Sequence, residues 1–99
     1  LGRGETLRPG PFAKAGIPAR GPGRDFLRAE RDALNAEGRC HTCGTTNPGT
    51  KSGDFIPDHQ PPNGLAEPGD PQRLYPHCLS CARKQGGEVN GAKTRKEGE

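Results

Sequence analysis

The sequence predicts a small, metal-stabilised α+β domain, and three observations lead to this fold class. Leu, Ile, Val and Phe together number only 13 of the 99 residues, whereas Gly and Pro together number 27. A chain with so few apolar residues buries too little surface to offset its ordering entropy through a core alone. Its four cysteines form two CxxC pairs, and a stretch of good helix formers precedes the first pair. We therefore expect metal–thiolate bonds to hold the domain together.

Composition divides the chain into three parts. Residues 1–24 contain six glycines and four prolines without a sustained period, which is typical of a linker or arm. Residues 25–87 carry both CxxC pairs and are predicted to form the folded domain. Residues 88–99 consist mainly of Gly, Lys, Arg and Glu, which predicts a flexible basic tail.

The stretch 25–37 predicts a short amphipathic helix. It contains no Gly or Pro, is rich in Ala, Leu, Glu and Arg, and places its apolar residues near one stripe. Asp25 is the expected N-cap, and Gly38 stands where a left-handed C-cap belongs. We therefore expect this helix to lead directly into the first CxxC pair.

Two short strands are predicted on either side of a proline-rich loop. The first covers residues 54–57, with Pro57 marking an edge strand or a strand end. The second covers residues 73–75 and contains the sole tyrosine, Tyr75, which we expect in the core. Residues 79–85 can then form about two helical turns before Gly86 and Gly87 end the helix.

The net charge of +3 is unevenly distributed. Residues 1–24 carry +4, residues 82–99 carry +2, and the part between them is mildly acidic. Basic ends are consistent with a polyanionic partner such as nucleic acid, and equally with solvated termini. The chain has no run of about 18 apolar residues, which a membrane helix requires, so we expect no membrane partner. We also expect the isolated domain to be a monomer.

The spacing of the cysteines predicts a structural zinc site. A CxxC turn brings two thiolates to the separation found along one edge of a zinc tetrahedron, and two such turns complete four-coordination. Two disulfides are the alternative in an oxidising compartment, whereas a redox CxxC lacks its βαβ context. Since four cysteines suffice for zinc, we expect His41, inside the first pair, to face solvent. The predicted ligands are Cys40, Cys43, Cys78 and Cys81.

The dipeptide Asp58-His59 follows the first predicted strand and is framed by prolines. A carboxylate can bind a hard divalent cation, and an imidazole can accept a proton near neutral pH. The alternative is a surface Asp that caps a turn beside an idle His. The location of the pair between the two CxxC motifs favours the chemical interpretation.

The order of these motifs resembles that of the HNH, or His-Me finger, nucleases, which are built on a treble-clef zinc scaffold with a ββα-metal arrangement. The resemblance covers residues 40–85: Cys40-His41-Thr42-Cys43, then Asp58-His59, then Cys78-Leu79-Ser80-Cys81. The stretches GDFIPDHQPP and RLYPHCLSCARKQGG look more specifically like the GHH-type C-terminal nuclease domains of bacterial polymorphic toxins, as carried by Rhs and type VI secretion effectors.

The resemblance implies roles for individual residues. His59 matches the general base that activates water, and Asp58 matches a ligand of the catalytic divalent ion, Mg²⁺ or another cation. Many members carry Asn or His directly after the last cysteine as the second ligand, but this chain has Ala82 there. His77 is therefore the first candidate for the second ligand, and Gln85 is a weaker one. Asp54 is a further weak candidate, and Arg73 stands where family members often have Asn.

The function implied by the resemblance is a metal-dependent DNase, the toxin domain of a secreted antibacterial effector. Such a domain acts in the cytoplasm of a recipient cell and has a cognate immunity protein in the producing cell. Arg73, Arg83 and Lys84 flank the predicted site and are candidates for phosphate binding. A non-catalytic zinc module that binds nucleic acid or protein is the alternative, and a secreted disulfide mini-protein is a third possibility.

Overall fold

The structure is a computed structural model that describes residues 5–21, 23, 25–63, 65–67, 69 and 71–97. Within these residues the chain forms an α+β fold with one three-stranded antiparallel sheet, in the strand order β1-β3-β2. Along the chain, the elements are a 3-10 helix (Glu5–Leu7), β1 (Ile17–Pro18), α1 (Arg28–Glu37), β2 (Ile56–Gln60), β3 (Arg73–His77) and α2 (Leu79–Glu97).

The antiparallel pair β2–β3 determines which side chains share a face of the sheet. Asp58 pairs with Tyr75, and His59 pairs with Leu74. Because side chains alternate along a strand, Asp58 lies on the face that also carries His77, whereas His59 lies on the opposite face. Both strands were predicted, but β2 begins two residues later than expected and continues beyond Pro57. Pro57 is tolerated because β2 is an edge strand of the described sheet.

The helix α1 begins at Arg28, two residues later than an N-cap at Asp25 implies. The predicted N-cap, Asp25, lies outside the helix, and Leu27 occupies the N-cap position. Leu27 has no polar side chain, but its backbone N–H donates to the Glu30 carboxylate at 2.8 Å, which is one half of a capping box. The predicted C-cap is confirmed: Gly38 is left-handed, with φ of 76°.

The N-terminal part of the chain packs on the domain, unlike the arm predicted for residues 1–24. β1 pairs with β3, and the Phe12 N–H donates to the His41 carbonyl at 3.0 Å. Thr6 is fully buried. Composition did not reveal this packing because the hydrogen-bond partners lie tens of residues further along the chain. Residues 1–4, 22 and 24 lie outside the described residues.

The helix α2 continues to Glu97, through the glycine pair that was expected to end it. Each glycine weakens a helix by roughly 1 kcal/mol relative to alanine, so local preference alone favours the predicted stop. A tertiary contact favours continuation of the helix past the glycines: the Glu88 carboxylate accepts hydrogen bonds from the backbone N–H and the hydroxyl of Thr6. The predicted tail therefore begins as helix, and residues 98–99 lie outside the described part. No described helix has the length and apolarity that a membrane span requires.

The core is small and centres on the cysteines. Cys40, Cys78 and Cys81 form one buried cluster with Phe55. Tyr75 is also buried, as predicted. Since a thiol is a small and weakly apolar group, this centre offers little hydrophobic stabilisation. A metal ion bound to the sulfurs would add binding free energy to the folded state.

Asn35 connects α1 to the start of β2. Its Oδ1 accepts the Phe55 N–H at 2.9 Å, and its Nδ2 donates to Asp54 at 2.8 Å. We expect Asn35→Ala to lower the free energy of unfolding by about 1–3 kcal/mol, because it leaves the Phe55 N–H without an acceptor. Denaturant unfolding at a fixed zinc concentration measures this change. The control is Asp32→Ala, which removes an exposed ion pair with Arg28 and should change stability far less. Equal effects of the two substitutions would contradict the assignment.

Candidate metal sites and active site

The four cysteine sulfurs lie within 4.8 Å of one another. The Sγ atoms of Cys43 and Cys78 are 3.7 Å apart, close to the edge of about 3.8 Å expected for a tetrahedron with metal–sulfur bonds of about 2.3 Å. All four are free thiols. Both CxxC pairs therefore converge as predicted, and the cluster could bind a metal ion such as zinc.

Backbone groups shape the first CxxC pair around the cluster. The Gly44 N–H donates to the Cys40 carbonyl at 2.9 Å, and Gly44 has a φ of 80°, which favours glycine. Burial raises the pKa of Cys40, but backbone N–H groups of Cys43, Cys78 and Thr42 outweigh burial and leave this pKa below its usual value. The sulfur of Cys40 is thus prepared for the thiolate form that metals bind.

The second CxxC pair begins α2, where burial raises the pKa of Cys78 and Cys81. Four crowded thiols do not ionise together readily without a cation, because like charges repel at these distances. A bound cation removes this repulsion. Cys43 is exposed, so an ion can reach the cluster from solution.

Asp58 presents a buried carboxyl group to three hydrogen-bond donors. Its Oδ2 accepts from the Gln60 Nε2 at 2.8 Å and faces the His41 Nε2 at 2.7 Å. Its Oδ1 accepts from the Gln85 Nε2 at 2.7 Å. These donors offset the cost of removing a carboxylate from water, since Asp58 is only 3% exposed. Gln85 was a weaker candidate for the second cation ligand, and the structure places its side chain in contact with Asp58.

His41 is fully buried, so the expectation that it faces solvent is wrong. The Gly10 N–H donates to its Nδ1 at 2.9 Å, and a ring nitrogen that accepts a hydrogen bond carries no proton. The proton of the neutral imidazole is therefore on Nε2, from which it is donated to Asp58. Position within a CxxC pair shows only that His41 lies near the cysteines. No local signal in the sequence places Asp58 against that turn.

His77 lies beside Asp58 on the same face of the sheet. Its Nδ1 is 3.8 Å from the Asp58 Oδ2, and its Nε2 is 3.1 Å from the Thr42 Oγ1. Burial lowers the pKa of His77 to about 4, and the opposing effect of Asp58 is smaller. His77 is therefore neutral at pH 7, which is the form that binds a metal ion.

The group of His41, Asp58 and His77 could bind a metal ion, because their ligand atoms lie within 4.8 Å of one another. Asp58 and His77 fit this role. The 3.8 Å between the Asp58 Oδ2 and the His77 Nδ1 is too long for a direct hydrogen bond, so one ion could bind both atoms. The Oε1 of Gln60 is buried and has no hydrogen-bond partner among the described residues, so it is one further oxygen available beside Asp58. His41 fits less well as a ligand, because its Nε2 holds a proton.

His59 occupies the opposite face of β2 from Asp58. Its Nε2 is 2.9 Å from the Gly21 carbonyl oxygen, and its ring lies against Phe26 with centroids 5.7 Å apart. Because a carbonyl only accepts, the proton of the neutral imidazole is on Nε2 and the Nδ1 lone pair is available as a base.

A cleft of about 540 Å³ brings the two faces together between β2 and α2. Consecutive β2 residues from Ile56 to His59 border it, which indicates that it runs along the free edge of this strand. Asp58, His59, His77, Ala82 and Gln85 are among the residues that line it. The three residues predicted for catalysis thus share one cleft.

The residues predicted to bind phosphate lie elsewhere. The Arg73 guanidinium donates to the carbonyl oxygens of Ala15 and Gly16 at 3.0 and 3.2 Å, so it holds the N-terminal segment. Arg83 and Lys84 are exposed on α2, and neither is among the residues that line the cleft.

Asp54, the other weak ligand candidate, is engaged away from the cleft. It accepts hydrogen bonds from Arg28 and Asn35, which lower its pKa to about 2. Both contacts tie it to α1. Asp54 therefore supports the fold and does not border the Asp58 site.

We expect Cys78→Ser to abolish binding of a tetrahedral thiolate-bound ion and to unfold most of the domain. The physical reason is that the cysteine cluster is the centre of a small core. Cobalt substitution measures the first effect through the thiolate-to-cobalt absorption, and circular dichroism measures the second. The matched control is Ser80→Ala, an exposed position inside the same CxxC pair, which should keep one thiolate-bound ion per chain. A folded Cys78→Ser protein with full metal content would contradict the expectation.

Comparison with known proteins does not assign the chain to a family. No family model, no curated protein and no solved structure matches the chain.

Proposed function

We propose that the protein is a metal-dependent endonuclease in which His59 is the general base and Asp58 and His77 hold a divalent cation. The hydrogen bond between the His59 Nε2 and the Gly21 carbonyl carries this proposal, because it places the ring proton on Nε2 and so leaves a lone pair on Nδ1 of a residue that lines the cleft. Asp58 and His59 lie on opposite faces of the edge strand β2, and both line the same cleft.

The chemistry follows from these positions. His59 takes a proton from water at Nδ1, and the water oxygen forms a bond to the phosphorus of a phosphodiester. The bond from phosphorus to the leaving oxygen breaks, and that oxygen takes a proton from solvent. A divalent cation on Asp58 and His77 would stabilise the charge that develops on the phosphate. Phe26 packs against the His59 ring and restrains its orientation.

We assign a structural role to a zinc ion on the four cysteines. The spacing of the sulfurs supports zinc, and the small apolar content of the chain makes such an ion a main source of folding free energy. On this proposal the domain is a treble-clef ββα-metal finger, in which β2, β3 and α2 carry the site.

The substrate proposed is DNA, on the strength of the resemblance and the basic ends of the chain. Arg83 and Lys84, exposed at the start of α2, can contact phosphates along a duplex outside the cleft. The same resemblance supports the role of a secreted toxin domain that acts in a recipient cytoplasm and is neutralised by an immunity protein. A reducing cytoplasm suits thiolates bound to zinc.

A non-catalytic zinc module that binds nucleic acid or protein is the second candidate. Two observations favour it: Ala82 borders the cleft where a second ligand is expected, and Asp58 is enclosed by donors from Gln60, Gln85 and His41. In such a module the carboxylate serves as a buried hydrogen-bond acceptor that holds the fold.

A plasmid-nicking assay tests the nuclease. We expect the wild-type protein to cut plasmid DNA when Mg²⁺, Mn²⁺ or Ni²⁺ is added. His59→Ala should lower the rate by about 10²- to 10⁴-fold, the usual contribution of a general base. Asp58→Asn should abolish the cutting that added metal supports, because it removes a proposed ligand of the cation.

The controls separate catalysis from folding. His59→Ala must keep its zinc content and its melting temperature, and added imidazole should restore part of its activity. Thr46→Ala, an exposed loop position, should cut like the wild type. If the wild type holds zinc yet cuts neither DNA nor RNA with any of the three ions, the binding module replaces the nuclease.

A further inference from the structure

We propose that His41 is a positioning residue that orients the Asp58 carboxylate, so that the first CxxC turn controls the second metal site. The inference relies on the proposed function for the role of Asp58 as a cation ligand. In the proposed function His41 is neither a ligand of the cysteine cluster nor the general base.

The direction of the His41–Asp58 hydrogen bond is determined by a third group. The Gly10 N–H occupies the Nδ1 lone pair of His41, and the Nε2–H of His41 then points at the Asp58 Oδ2, 2.7 Å away. Gly10 can approach only because it lacks a side chain: a Cβ there would lie 2.2 Å from the His41 carbonyl oxygen. The imidazole is thus held in one tautomer between a donor and an acceptor.

Thr42, the next residue of the same turn, contacts His77 as His41 contacts Asp58. The Thr42 Oγ1 lies 3.1 Å from the His77 Nε2, and the rings of His41 and His77 stack with centroids 4.7 Å apart. Two consecutive residues between Cys40 and Cys43 therefore contact both proposed cation ligands. Partners of this kind orient metal ligands and affect metal affinity.

The backbone transmits the position of the cysteines to these contacts. The His41 N–H donates to the Pro76 carbonyl at 2.9 Å, and the Cys40 N–H donates to the Thr45 carbonyl at 2.9 Å. The turn is thereby attached to β3 immediately before His77. Loss of the ion from the cysteines would free the turn and, with it, the orientation of Asp58 and His77.

Direct metal ligation by His41 is the competing interpretation, because its Nε2 belongs to the same three-residue group. Ligation needs a lone pair on Nε2. Since the Gly10 N–H already uses the lone pair on Nδ1, a neutral imidazole has none left to offer. The geometry therefore favours a hydrogen-bond donor.

The hydrogen bond is tested first on the zinc-saturated wild-type protein by nitrogen-15 NMR of the imidazole rings. We expect His41 in the Nε2–H tautomer, with a downfield Nε2–H signal that exchanges slowly and shifts upfield in Asp58→Asn. A His41 ring protonated on Nδ1, or an Nε2 without a proton, overturns the inference. This measurement needs no folded His41 variant and no activity.

The consequence is tested with Mn²⁺ as the probe, measured by titration calorimetry on zinc-saturated proteins. His41→Asn keeps an acceptor for Gly10 but does not reach Asp58, so its Mn²⁺ affinity should fall about 10- to 100-fold, as for other partners of metal ligands. His41→Gln, which can extend an N–H to Asp58, should retain most of the affinity. Thr42→Val, which removes the hydroxyl at constant shape, should weaken Mn²⁺ binding through His77.

The outcomes separate the two proposals. Wild-type affinity in a zinc-loaded His41→Asn protein overturns the positioning role, even if the wild type cuts DNA. Equal losses in His41→Gln and His41→Asn overturn it in favour of direct ligation. Mn²⁺ binding that depends on His41, in a protein that cuts no nucleic acid, supports the positioning role and rejects the nuclease. A wild type that binds no Mn²⁺ overturns both.

Discussion

The convergence of four cysteine sulfurs joins the loop after α1 to the junction between β3 and α2. These two parts of the chain are about forty residues apart in sequence, and few apolar side chains are available to hold them together. Phe55 packs on the cluster and brings the start of β2 to the same place. The sheet, the two helices and the polar site between them depend on this junction, and a metal ion such as zinc is the interaction best suited to hold it.

Buried polar side chains form a second layer beside the cysteines. Asp58, His41 and His77 are almost fully enclosed, and each hydrogen-bonds to a neighbour or lies close to one. Such a network is costly in a small domain unless its groups are satisfied, because the interior screens charge poorly. The N-terminal segment helps to satisfy it, since the Gly10 N–H and the Thr6 carbonyl both belong to the network. A segment with the composition of a linker therefore completes the candidate site.

The proposed chemistry depends on the position of β2 at the edge of the described sheet. In an interior strand, neighbours on alternate faces are separated by the sheet and cannot act on one substrate. At the edge, His59 on one face and Asp58 on the other both border one cleft. The same edge position admits a proline inside the strand, so the sequence Pro57-Asp58-His59 is compatible with both the fold and the proposed site.

The amino-acid sequence alone predicts the α+β class, the convergence of the two CxxC motifs, the helix α1 with its Gly38 cap, and Asp58-His59 as the candidate site pair. These features depend on motif spacing and local backbone preference, which can be read from short stretches of the sequence. The burial of His41, the length of α2 and the packing of residues 5–21 become apparent only in the folded chain. Each of those depends on a partner tens of residues away, such as Gly10 for His41 or Thr6 for Glu88, and local composition carries no record of such contacts.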